Sequence, residues 1–411
     1  MPPSDATDDI QIVEDALLRF VDSEVLPLEK AHAALLGNDR TLYDETGRYC
    51  HEVLKLRRQV RMKSAEAGFY TMLGAAELGG GDLGPVAGVR LQETLARVYG
   101  PGRVLIHHVV IPSPFTNGLT PVFGFLQPEA RERFLPSIAR GECTSCFALS
   151  EPDAGSDVFG MKTRARRDGN EWVINGTKQW ITNSPYADYA VVFAVTDPDK
   201  VARREGGITG FVVETSSPGF RVNSVLKLMG SIGGDTGIID LEELRVPDSQ
   251  RLGEVDGGLK VAMRGINAGR LGVAASCLGY ARWSLDKAVD YAQTRKTFGK
   301  PIAEHQSIQN HLAESAMDLY AARRVVLGAA ECVAAGSPAR GEIAIAKALA
   351  TEMLSRTVDR CMQVHGGMGM TNEVGLEAIY RFARMMRVYD GTAEIQRRTI
   401  AQELLGGHLR F

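Results

Sequence analysis

The chain has 411 residues, of which 44% are hydrophobic, 24% charged and 7% aromatic, a composition typical of a well-folded globular protein. Its 47 lysine and arginine residues oppose 50 aspartate and glutamate residues, so the net charge of -3 gives no general basic surface for nucleic acid or an anionic membrane. The sequence also lacks an apolar run of about 18 residues. We therefore expect neither nucleic acid nor a membrane as a partner.

The cysteines and the N-terminal residues bear on the compartment. Six cysteines are scattered along the chain, several of them within apolar helical patterns, which favours reduced thiols over disulfides. The first ten residues, MPPSDATDDI, are acidic and polar and have the pattern of neither a secretory signal nor an Arg-rich transit peptide. We therefore expect a cytoplasmic protein.

The periodicity of apolar residues changes twice along the chain. Residues 8 to about 140 have helical periodicity interrupted by Gly and Pro clusters. From Cys146 to about Val246, short β-branched runs separated by turn sequences indicate an antiparallel sheet or small barrel. Helical patterns return after residue 258, and the Ala-rich second half is apolar on more than one face, as in the centre of a bundle. The sequence predicts an α+β multi-domain protein with domains at 1–143, 144–252 and 253–411.

Common catalytic motifs are weak or missing. Gly79, Gly81 and Gly84 match a GxGxxG pattern, but they follow a predicted helix and lack an acidic residue about twenty positions later, so they do not indicate a dinucleotide site. Cys143 and Cys146 form a CxxC without the second pair or histidines of a zinc site, which favours core packing. HExxH, GxSxG and Walker A sequences do not occur. We predict no metal site.

The segment from Cys146 to Asn183 is more informative. It joins a turn rich in Pro, Gly and Ser to a later Trp-Ile-Thr-Asn run. Backbone N–H groups and hydroxyls beside a large aromatic face suit a planar, hydrogen-bonding ligand. A β-turn followed by a core tryptophan explains the same residues equally well, so these residues alone leave both interpretations open.

This segment closely resembles the acyl-CoA dehydrogenase family, and four further blocks extend the resemblance over essentially the whole chain. They are residues 128–142, 294–306, 363–371 and 389–398. The resemblance implies an N-terminal helical domain, a central antiparallel β domain and a C-terminal four-helix bundle, in agreement with the α–β–α division above. It also implies an FAD-containing oxidoreductase acting on CH–CH groups in fatty acid β-oxidation.

The resemblance implies a set of FAD contacts. The matching positions are Phe147, Leu149, Ser150, Gly155, Ser156, Trp180, Ile181, Thr182, Arg295, Thr297, Phe298, His305, Gln306, Gln363, Val364, Gly366, Gly367, Thr392 and Glu394. In the family, the Trp-Ile-Thr run lies against the isoalloxazine ring, with the threonine near N5. Residues 295–298 resemble an arm that binds the pyrophosphate of a neighbouring subunit's FAD, and 363–367 resemble a loop that meets the adenosine half. Shared FAD sites imply a homotetramer built as a dimer of dimers.

The resemblance also implies an acyl-CoA site and an electron acceptor. The matching substrate positions are Ser156, Asn267, Arg270, Tyr389 and Gly391. Arg270 would bind the nucleotide end of CoA, a suitable task for a guanidinium facing phosphate. A solvated charge on a helix is the alternative for this arginine. Relatives normally pass their electrons to an electron-transfer flavoprotein.

The general base departs from the family pattern. The reaction needs one carboxylate to remove an α-proton while a hydride leaves the β-carbon for flavin N5. Most relatives have Tyr-Glu-Gly-Thr at this point, whereas this chain has Asp390 after Tyr389, one methylene shorter. A minority place the base directly before the CoA arginine, where this chain has Gly269. Asp390 is therefore the only candidate base that the motifs supply.

Three interpretations of Asp390 stay open. It is a working base that yields a trans-2-enoyl-CoA, with substrate or backbone shifted to meet the shorter side chain. Alternatively, the chain is a flavin oxidase of a non-CoA carbon acid, similar to nitroalkane oxidases, or it binds flavin and has lost dehydrogenation. An apolar pocket would raise the carboxyl pKa, which suits a base near neutral pH. Segments 30–56 and 107–125 differ from the usual family pattern, so we predict a bulky, branched or cyclic acyl group.

Overall fold

The structure is a computed structural model that describes residues 4–113 and 115–410, so the outer ends of the predicted three-domain division, Met1 and Phe411, lie outside it. Before residue 145 the chain is helical. Its α-helices are α1 (Ser4–Phe20), α2 (Leu26–Ala31), α3 (Ala33–Leu36), α4 (Asp39–Leu42), α5 (His51–Glu66), α6 (Gly84–Tyr99) and α7 (Pro128–Ala139). A π-helical segment, Val21–Val25, joins α1 to α2, and 3-10 turns occur at Ala76–Leu78 and Pro121–Phe125.

Strands dominate the middle of the chain, and long helices follow. The strands and short helix of the middle part are β1 (Ser145–Ala148), β2 (Arg164–Asp168), β3 (Glu171–Thr182), β4 (Tyr189–Val195), α8 (Pro198–Arg203), β5 (Ile208–Glu214), β6 (Phe220–Val225), β7 (Thr236–Pro247) and β8 (Arg251–Leu252). The last part contains α9 (Gly258–Thr294), β9 (Lys296–Thr297), β10 (Lys300–Pro301), α10 (Gln306–Ala334), α11 (Arg340–His365), α12 (Leu376–Met386) and α13 (Ala393–Leu405). The predicted helical, β and helical order is confirmed.

The described residues form two compact units. The bundle unit comprises those within Met1–Arg19, Leu83–Arg103 and Gly269–Phe411, and the sheet unit comprises Phe20–Asp82 and Val104–Ala268. In the bundle unit, α11 packs against α10, α12 and α13. Alanines on several faces of α11 are buried, so this helix lies in the centre of the bundle, as its all-round apolar pattern predicts.

The sheet of the sheet unit is mixed rather than purely antiparallel. Its strand order is β6-β7-β3-β2-β4-β5-β8, and most neighbours are antiparallel. However, β1 pairs with β4 in parallel, and β2 meets β4 in parallel at Arg164 and Val195. Successive residues of β4 alternate between two cores, with Phe193 in one and Val192 in the other. The sheet is therefore covered on both faces.

Backbone conformation and close packing explain the glycines of this cluster: Gly79 and Gly84 have φ angles of 84° and 83°, in the left-handed region, whereas Gly80 and Gly81 are closely packed. A Cβ atom at Gly80 would collide with the carbonyl group of Gly74, and one at Gly81 would lie 3.0 Å from Met72 Cα. The cluster follows the 3-10 turn Ala76–Leu78 instead of a strand. Gly80 and Gly81 therefore permit close approach of two backbone segments.

The cysteines and helices bear on two further expectations. All six cysteines have free thiols, and Cys146 of the CxxC lies in the core of the sheet unit. In the described ranges, we find no cluster of three His, Cys, Asp or Glu residues that could hold a metal ion. None of the described helices combines the length and apolar character needed to cross a membrane.

Candidate active site

Asp390 and Gly391 form a left-handed turn between α12 and α13. Their φ angles are 53° and 91°, and aspartate is one of the few non-glycine residues that tolerate this region. A Cβ atom at Gly391 would lie 2.9 Å from Gln396 Nε2 and 3.1 Å from Arg270 Nη2, so only glycine fits closely here. Thr392 then caps α13, because its hydroxyl oxygen accepts a hydrogen bond from the Ile395 N–H. The turn thus has a defined entry into α13.

Three buried side chains donate hydrogen bonds to the carbonyl groups of this turn. Arg270 Nε donates to the Asp390 oxygen over 2.9 Å, and Lys347 Nζ donates to the Gly391 oxygen over 2.8 Å. Gln396 Nε2 donates to both oxygens, over 3.2 Å and 2.9 Å respectively. Because the donors come from α9, α11 and α13, the turn that carries Asp390 is fixed by three helices of the bundle unit.

The surroundings of Asp390 suit a base that works near neutral pH. Burial raises the pKa of its carboxyl group to about 6, while the positive charges of Lys347 and Arg270 oppose this increase. Burial likewise lowers the pKa of Lys347 to about 8 and lowers that of Arg270. A carboxylate with a pKa slightly below neutrality is largely ionised yet basic enough to accept a proton.

The Trp-Ile-Thr run ends β3 in the sheet unit, and its side chains point to different sides. Trp180 has a φ of 66° and is 55% exposed, and Thr182 is also exposed. Ile181 is 1% exposed and packs in the core, so only its backbone remains for a ligand. An irregularity in β3–β7 pairing between Lys178 and Ile181 accounts for the outward tryptophan.

The loop before β2 is fixed by a buried ion pair that sequence reasoning missed. Lys178 Nζ lies 2.8 Å from Glu151 Oε1 and donates to the Leu149 oxygen over 3.1 Å. The Glu151 carboxylate also accepts from the N–H groups of Lys162 and Thr163, over 2.6 Å and 3.0 Å. These contacts of the Glu151 carboxylate therefore all help to hold the loop. A charged residue inside the apolar pattern of β3 is the sequence signal that could have revealed the pair.

The predicted flavin residues of this loop differ in accessibility. Phe147 packs against Phe115 and Phe193, with ring centroids 5.2 Å and 5.0 Å apart, and Leu149 is buried. Ser150 is half-buried, and its carbonyl oxygen accepts from the Gln179 N–H over 2.9 Å. Gly155 and Ser156 are exposed. Contacts from Leu149 to a ligand would therefore be limited to backbone atoms, whereas the ring of Phe147 is half-buried.

Residues 295–306 of the bundle unit form a hairpin with an exposed aromatic tip. Phe298 and Gly299 connect β9 and β10 with φ angles of 49° and 82°. Phe298 is 96% exposed, and Arg295 and Gln306 are also exposed. His305 Nε2 lies 3.2 Å from Thr297 Oγ1, which braces the base of the hairpin. An exposed phenylalanine in a strained backbone conformation is typical of a contact residue.

Residues 363–367 present backbone rather than side chains. Gln363 is exposed, whereas Val364 is buried in the bundle core. Gly366 has a φ of 58°, and a Cβ atom at Gly366 or Gly367 would meet nothing within 4 Å. The space beside these glycines is therefore open to a ligand. His365, which sequence reasoning did not select, stacks on Tyr291 at 4.5 Å and anchors the loop.

The remaining candidates are less constrained. Tyr389 is 38% exposed, and its hydroxyl lies 3.4 Å from Met385 Sδ. Glu394 is exposed in the first turn of α13. Asn267 is half-buried in α9. The side chains of Tyr389 and Glu394 are therefore exposed.

Each unit exposes groups of the kinds that bind parts of a nucleotide-containing cofactor. In the sheet unit, an outward tryptophan stands beside Thr182 and near a loop with exposed Gly155 and Ser156. In the bundle unit, an exposed arginine and open glycine backbone suit phosphate and sugar groups. Together with a half-buried carboxyl group of raised pKa, these are the features that the resemblance leads us to expect of a flavin-dependent oxidoreductase.

Comparison with family models identifies the family. The N-terminal, middle and C-terminal domains of acyl-CoA dehydrogenase match residues 7–142, 146–244 and 256–405. The chain therefore belongs to the acyl-CoA dehydrogenase family, and it is an oxidoreductase acting on CH–CH groups with FAD as cofactor.

Curated relatives include both dehydrogenases and reductases. The chain is 36% identical over 362 residues to the 3-(aryl)acrylate reductase of Clostridium sporogenes, covering 88% of this chain and 92% of that protein. It has the same identity and coverage to the CarC subunit of the caffeyl-CoA reductase-Etf complex of Acetobacterium woodii. The human mitochondrial short-chain specific acyl-CoA dehydrogenase is 40% identical over 287 residues, or 70% of this chain and 69% of that protein.

Solved structures have the same fold. A glutaryl-CoA dehydrogenase of Mycobacterium smegmatis in complex with FADH2 has a TM-score of 0.80 at 26% identity, covering 98% of this chain and 96% of that chain. A chain solved in a study of the electron transferring flavoprotein of Acidaminococcus fermentans has a TM-score of 0.81 at 30% identity. The match covers 97% of this chain and 98% of that chain.

Proposed function

We propose that the chain catalyses α,β-dehydrogenation of an acyl-CoA thioester to the trans-2-enoyl-CoA, with Asp390 as general base. The observation that carries this proposal is the half-buried Asp390 carboxyl group in a turn fixed by Arg270, Lys347 and Gln396, with a pKa raised to about 6, which suits a base at neutral pH. Its rigid left-handed turn gives the carboxylate a defined position, which compensates for the short side chain. This arrangement supports a working base over a lost activity.

In the proposed reaction, protein groups have two roles, which are removal of the α-proton and stabilisation of the negative charge that develops. Asp390 accepts the α-proton, and the thioester oxygen gains negative charge as that proton leaves. Within residues 4–113 and 115–410, the Asp390 N–H donates to no protein acceptor, so it remains available to this oxygen. When bound, FAD supplies the acceptor for the hydride that leaves the β-carbon.

Several side chains would hold FAD in this proposal. Trp180 and Thr182 would contact the ring system, and Gly155 and Ser156 would offer backbone and hydroxyl groups. Arg295 and Phe298 of the hairpin, together with residues 363–367, would serve the pyrophosphate and adenosine parts. The support is the exposure of these groups together with the open space beside Gly366 and Gly367.

The acyl group is proposed to be bulky, branched or cyclic, including aryl groups. Two relatives of 36% identity carry names for reductases of aryl or caffeyl substrates. In the sheet unit, the ring of Tyr49 stacks on Tyr43 at 5.1 Å and packs against Tyr186 at 5.2 Å, and Arg57 lies over it at 5.2 Å. Tyr43 and Tyr49 belong to the unusual segment 30–56, and Arg57 directly follows it.

The electron acceptor and assembly are parts of the same proposal. We expect an electron-transfer flavoprotein as partner, which is supported by the caffeyl-CoA reductase-Etf relative. A homotetramer built as a dimer of dimers is supported by the 96% exposure of Phe298 on its hairpin. A cytoplasmic location and a part in β-oxidation remain predictions; the six free thiols agree with a reducing compartment.

An anaerobic titration tests the function directly. Purified protein with bound FAD is mixed with butyryl-CoA, palmitoyl-CoA, isobutyryl-CoA, cyclohexanecarboxyl-CoA and 3-phenylpropionyl-CoA while flavin absorbance is followed. Loss of the oxidised-flavin band with the cyclic or branched thioesters supports the proposal, and equal responses to the straight-chain thioesters contradict the acyl preference. Bleaching by primary nitroalkanes alone would establish the oxidase alternative. No bleaching by either class would mean that dehydrogenation has been lost.

A further inference from the structure

Lys347 is a fully buried lysine in the centre of the bundle unit. We propose that Lys347 is a positioning residue for the base, whose ammonium group holds the Asp390–Gly391 turn and favours the ionised form of Asp390. The inference rests on the proposed function only in taking Asp390 as the base. It concerns a residue that does not itself need to touch the substrate.

Burying Lys347 costs free energy unless its charge is compensated by hydrogen bonds or by an opposite charge. The residue is 0% exposed and lies among buried alanines of α11. Burying an ammonium group requires compensation by hydrogen bonds or opposite charge. Its Nζ atom donates to the Gly391 oxygen over 2.8 Å. Since its pKa of about 8 still exceeds neutrality, Lys347 remains largely charged at pH 7.

Two positive charges oppose the increase in the pKa of the Asp390 carboxyl group, and Lys347 opposes it more strongly than Arg270 does. Lys347 and Arg270 both favour the carboxylate, with Lys347 contributing more. Asp390, Cys277 and Glu394 favour the ammonium form of Lys347, and Arg270 disfavours it. A further arginine, Arg340, acts on Arg270. Without the charge of Lys347, only burial and the charge of Arg270 would act on the pKa of Asp390.

A second, neutral donor to the Gly391 carbonyl distinguishes the effect of hydrogen bonding from the effect of charge. Gln396 Nε2 also donates to the Gly391 oxygen, over 2.9 Å, and to the Asp390 oxygen over 3.2 Å. Gln396 Oε1 is buried without a hydrogen-bond partner among the described residues, so the amide is oriented by donation to the turn. Because a neutral donor already serves this carbonyl, the distinctive contribution of Lys347 is its charge.

Two substitutions test the proposal. Lys347→Met removes both donor and charge, whereas Lys347→Gln keeps an N–H donor and removes only the charge. Infrared difference titration against Asp390→Asn, with 13C-labelled aspartate, measures the carboxyl pKa without requiring turnover. We expect the pKa of Asp390 to rise by about one or more in both variants. Lys287→Met, which removes an exposed lysine of α9, should leave it unchanged.

The pH profile of flavin reduction gives an independent readout. Its acidic limb should move to higher pH by the same amount as the carboxyl pKa rises. The rate at a fixed pH on that limb should then fall about tenfold when the pKa is higher by one. An unchanged Asp390 pKa in folded Lys347→Gln would overturn the proposal, because that variant lacks the charge.

A reciprocal measurement covers the case in which neither variant folds. If the two charges interact, Asp390→Asn must lower the pKa of Lys347, as read from the pH dependence of unfolding above pH 7. An unchanged dependence would reject the interaction. Retained flavin reduction in Asp390→Asn would instead remove the base assignment, while the titration would still report on Lys347.

Discussion

Arg270 Nε donates a hydrogen bond to the carbonyl oxygen of Asp390 over 2.9 Å, and the arginine is only 7% exposed. The alternative interpretation of Arg270 as a solvated helix charge is therefore wrong. Its expected contact with the nucleotide end of CoA stays a prediction. The hydrogen bond indicates a second role for Arg270, because it helps to fix the turn that carries the proposed base.

Substituting Arg270 separates these two tasks. Arg270→Met should slow flavin reduction at least about tenfold, because the turn loses a charged hydrogen bond of roughly 1.5–3 kcal/mol. The measurement is stopped-flow reduction at saturating substrate, first with an acyl-CoA and then with the matching acyl-pantetheine, which lacks the nucleotide. A defect that persists with acyl-pantetheine locates the loss at the base turn. A defect in apparent affinity for acyl-CoA alone would limit Arg270 to CoA binding, and Arg282→Met is an exposed control on α9.

The carboxylate of Asp390 should be indispensable for reduction. Asp390→Asn should abolish flavin reduction by every thioester while ligand binding persists, since the amide keeps the size of the side chain and cannot accept the α-proton. Single-turnover absorbance and equilibrium binding of acyl-CoA measure the two properties. Asp390→Glu tests side-chain length: if the turn has shifted to suit aspartate, the longer side chain should reduce the rate. Faster reduction by the glutamate variant would show that the turn has not adapted.

Asp390 should also make stability depend on pH. Its folded pKa of about 6 lies above the ordinary value of 3.8, so the folded state holds a proton more tightly than the unfolded chain. The associated stability is present below pH 3.8 and is lost as pH rises through about 6. Asp390→Asn should therefore be more stable than the parent at pH 7, on the order of 1 to 3 kcal/mol. Urea unfolding from pH 4 to 8 measures this difference; Asp286→Asn, at an exposed position, should show no such gain.

Periodicity was sufficient for the order of the elements but not for strand pairing. The change from helical to alternating patterns near Cys146 predicts where the sheet begins, and β1 starts at Ser145. The parallel pairing of β1 with β4 is not contained in either strand, because it joins residues more than forty positions apart. A succession of short strands therefore suggests an antiparallel sheet even where the sheet is mixed.

Matching a motif as a continuous run of residues predicts where a backbone segment lies better than it predicts which of its side chains are exposed. Trp180 is exposed whereas its neighbour Ile181 is buried, because the pairing of β3 with β7 is irregular between Lys178 and Ile181. Val364 is buried because it lies on a face of α11 that packs into the bundle core. Lys347 and Lys178 were missed because their partners lie 44 and 27 positions away along the chain. A lone charged residue within an apolar pattern was their common signal.

The buried Glu151–Lys178 pair should control both stability and retention of FAD. Glu151→Gln leaves Lys178 buried without its carboxylate, and we expect a loss of about 3 to 5 kcal/mol in the free energy of unfolding. The loop with Gly155 and Ser156 should also lose its anchorage to β3, so FAD should dissociate more readily. Denaturant unfolding and fluorescence of released flavin measure the two effects.

The same loop offers an exposed pair as a control. Lys162 and Asp153 lie 2.7 Å apart, but their side chains are 74% and 67% exposed. Solvent screens such a pair, so Asp153→Asn should leave unfolding and flavin release unchanged. Combining Glu151→Gln with Lys178→Met removes the unpaired charge and should recover part of the stability without restoring the contacts of the carboxylate with the Lys162 and Thr163 N–H groups. If this double variant regained full FAD retention, the ion pair would matter only for stability and would not position the loop.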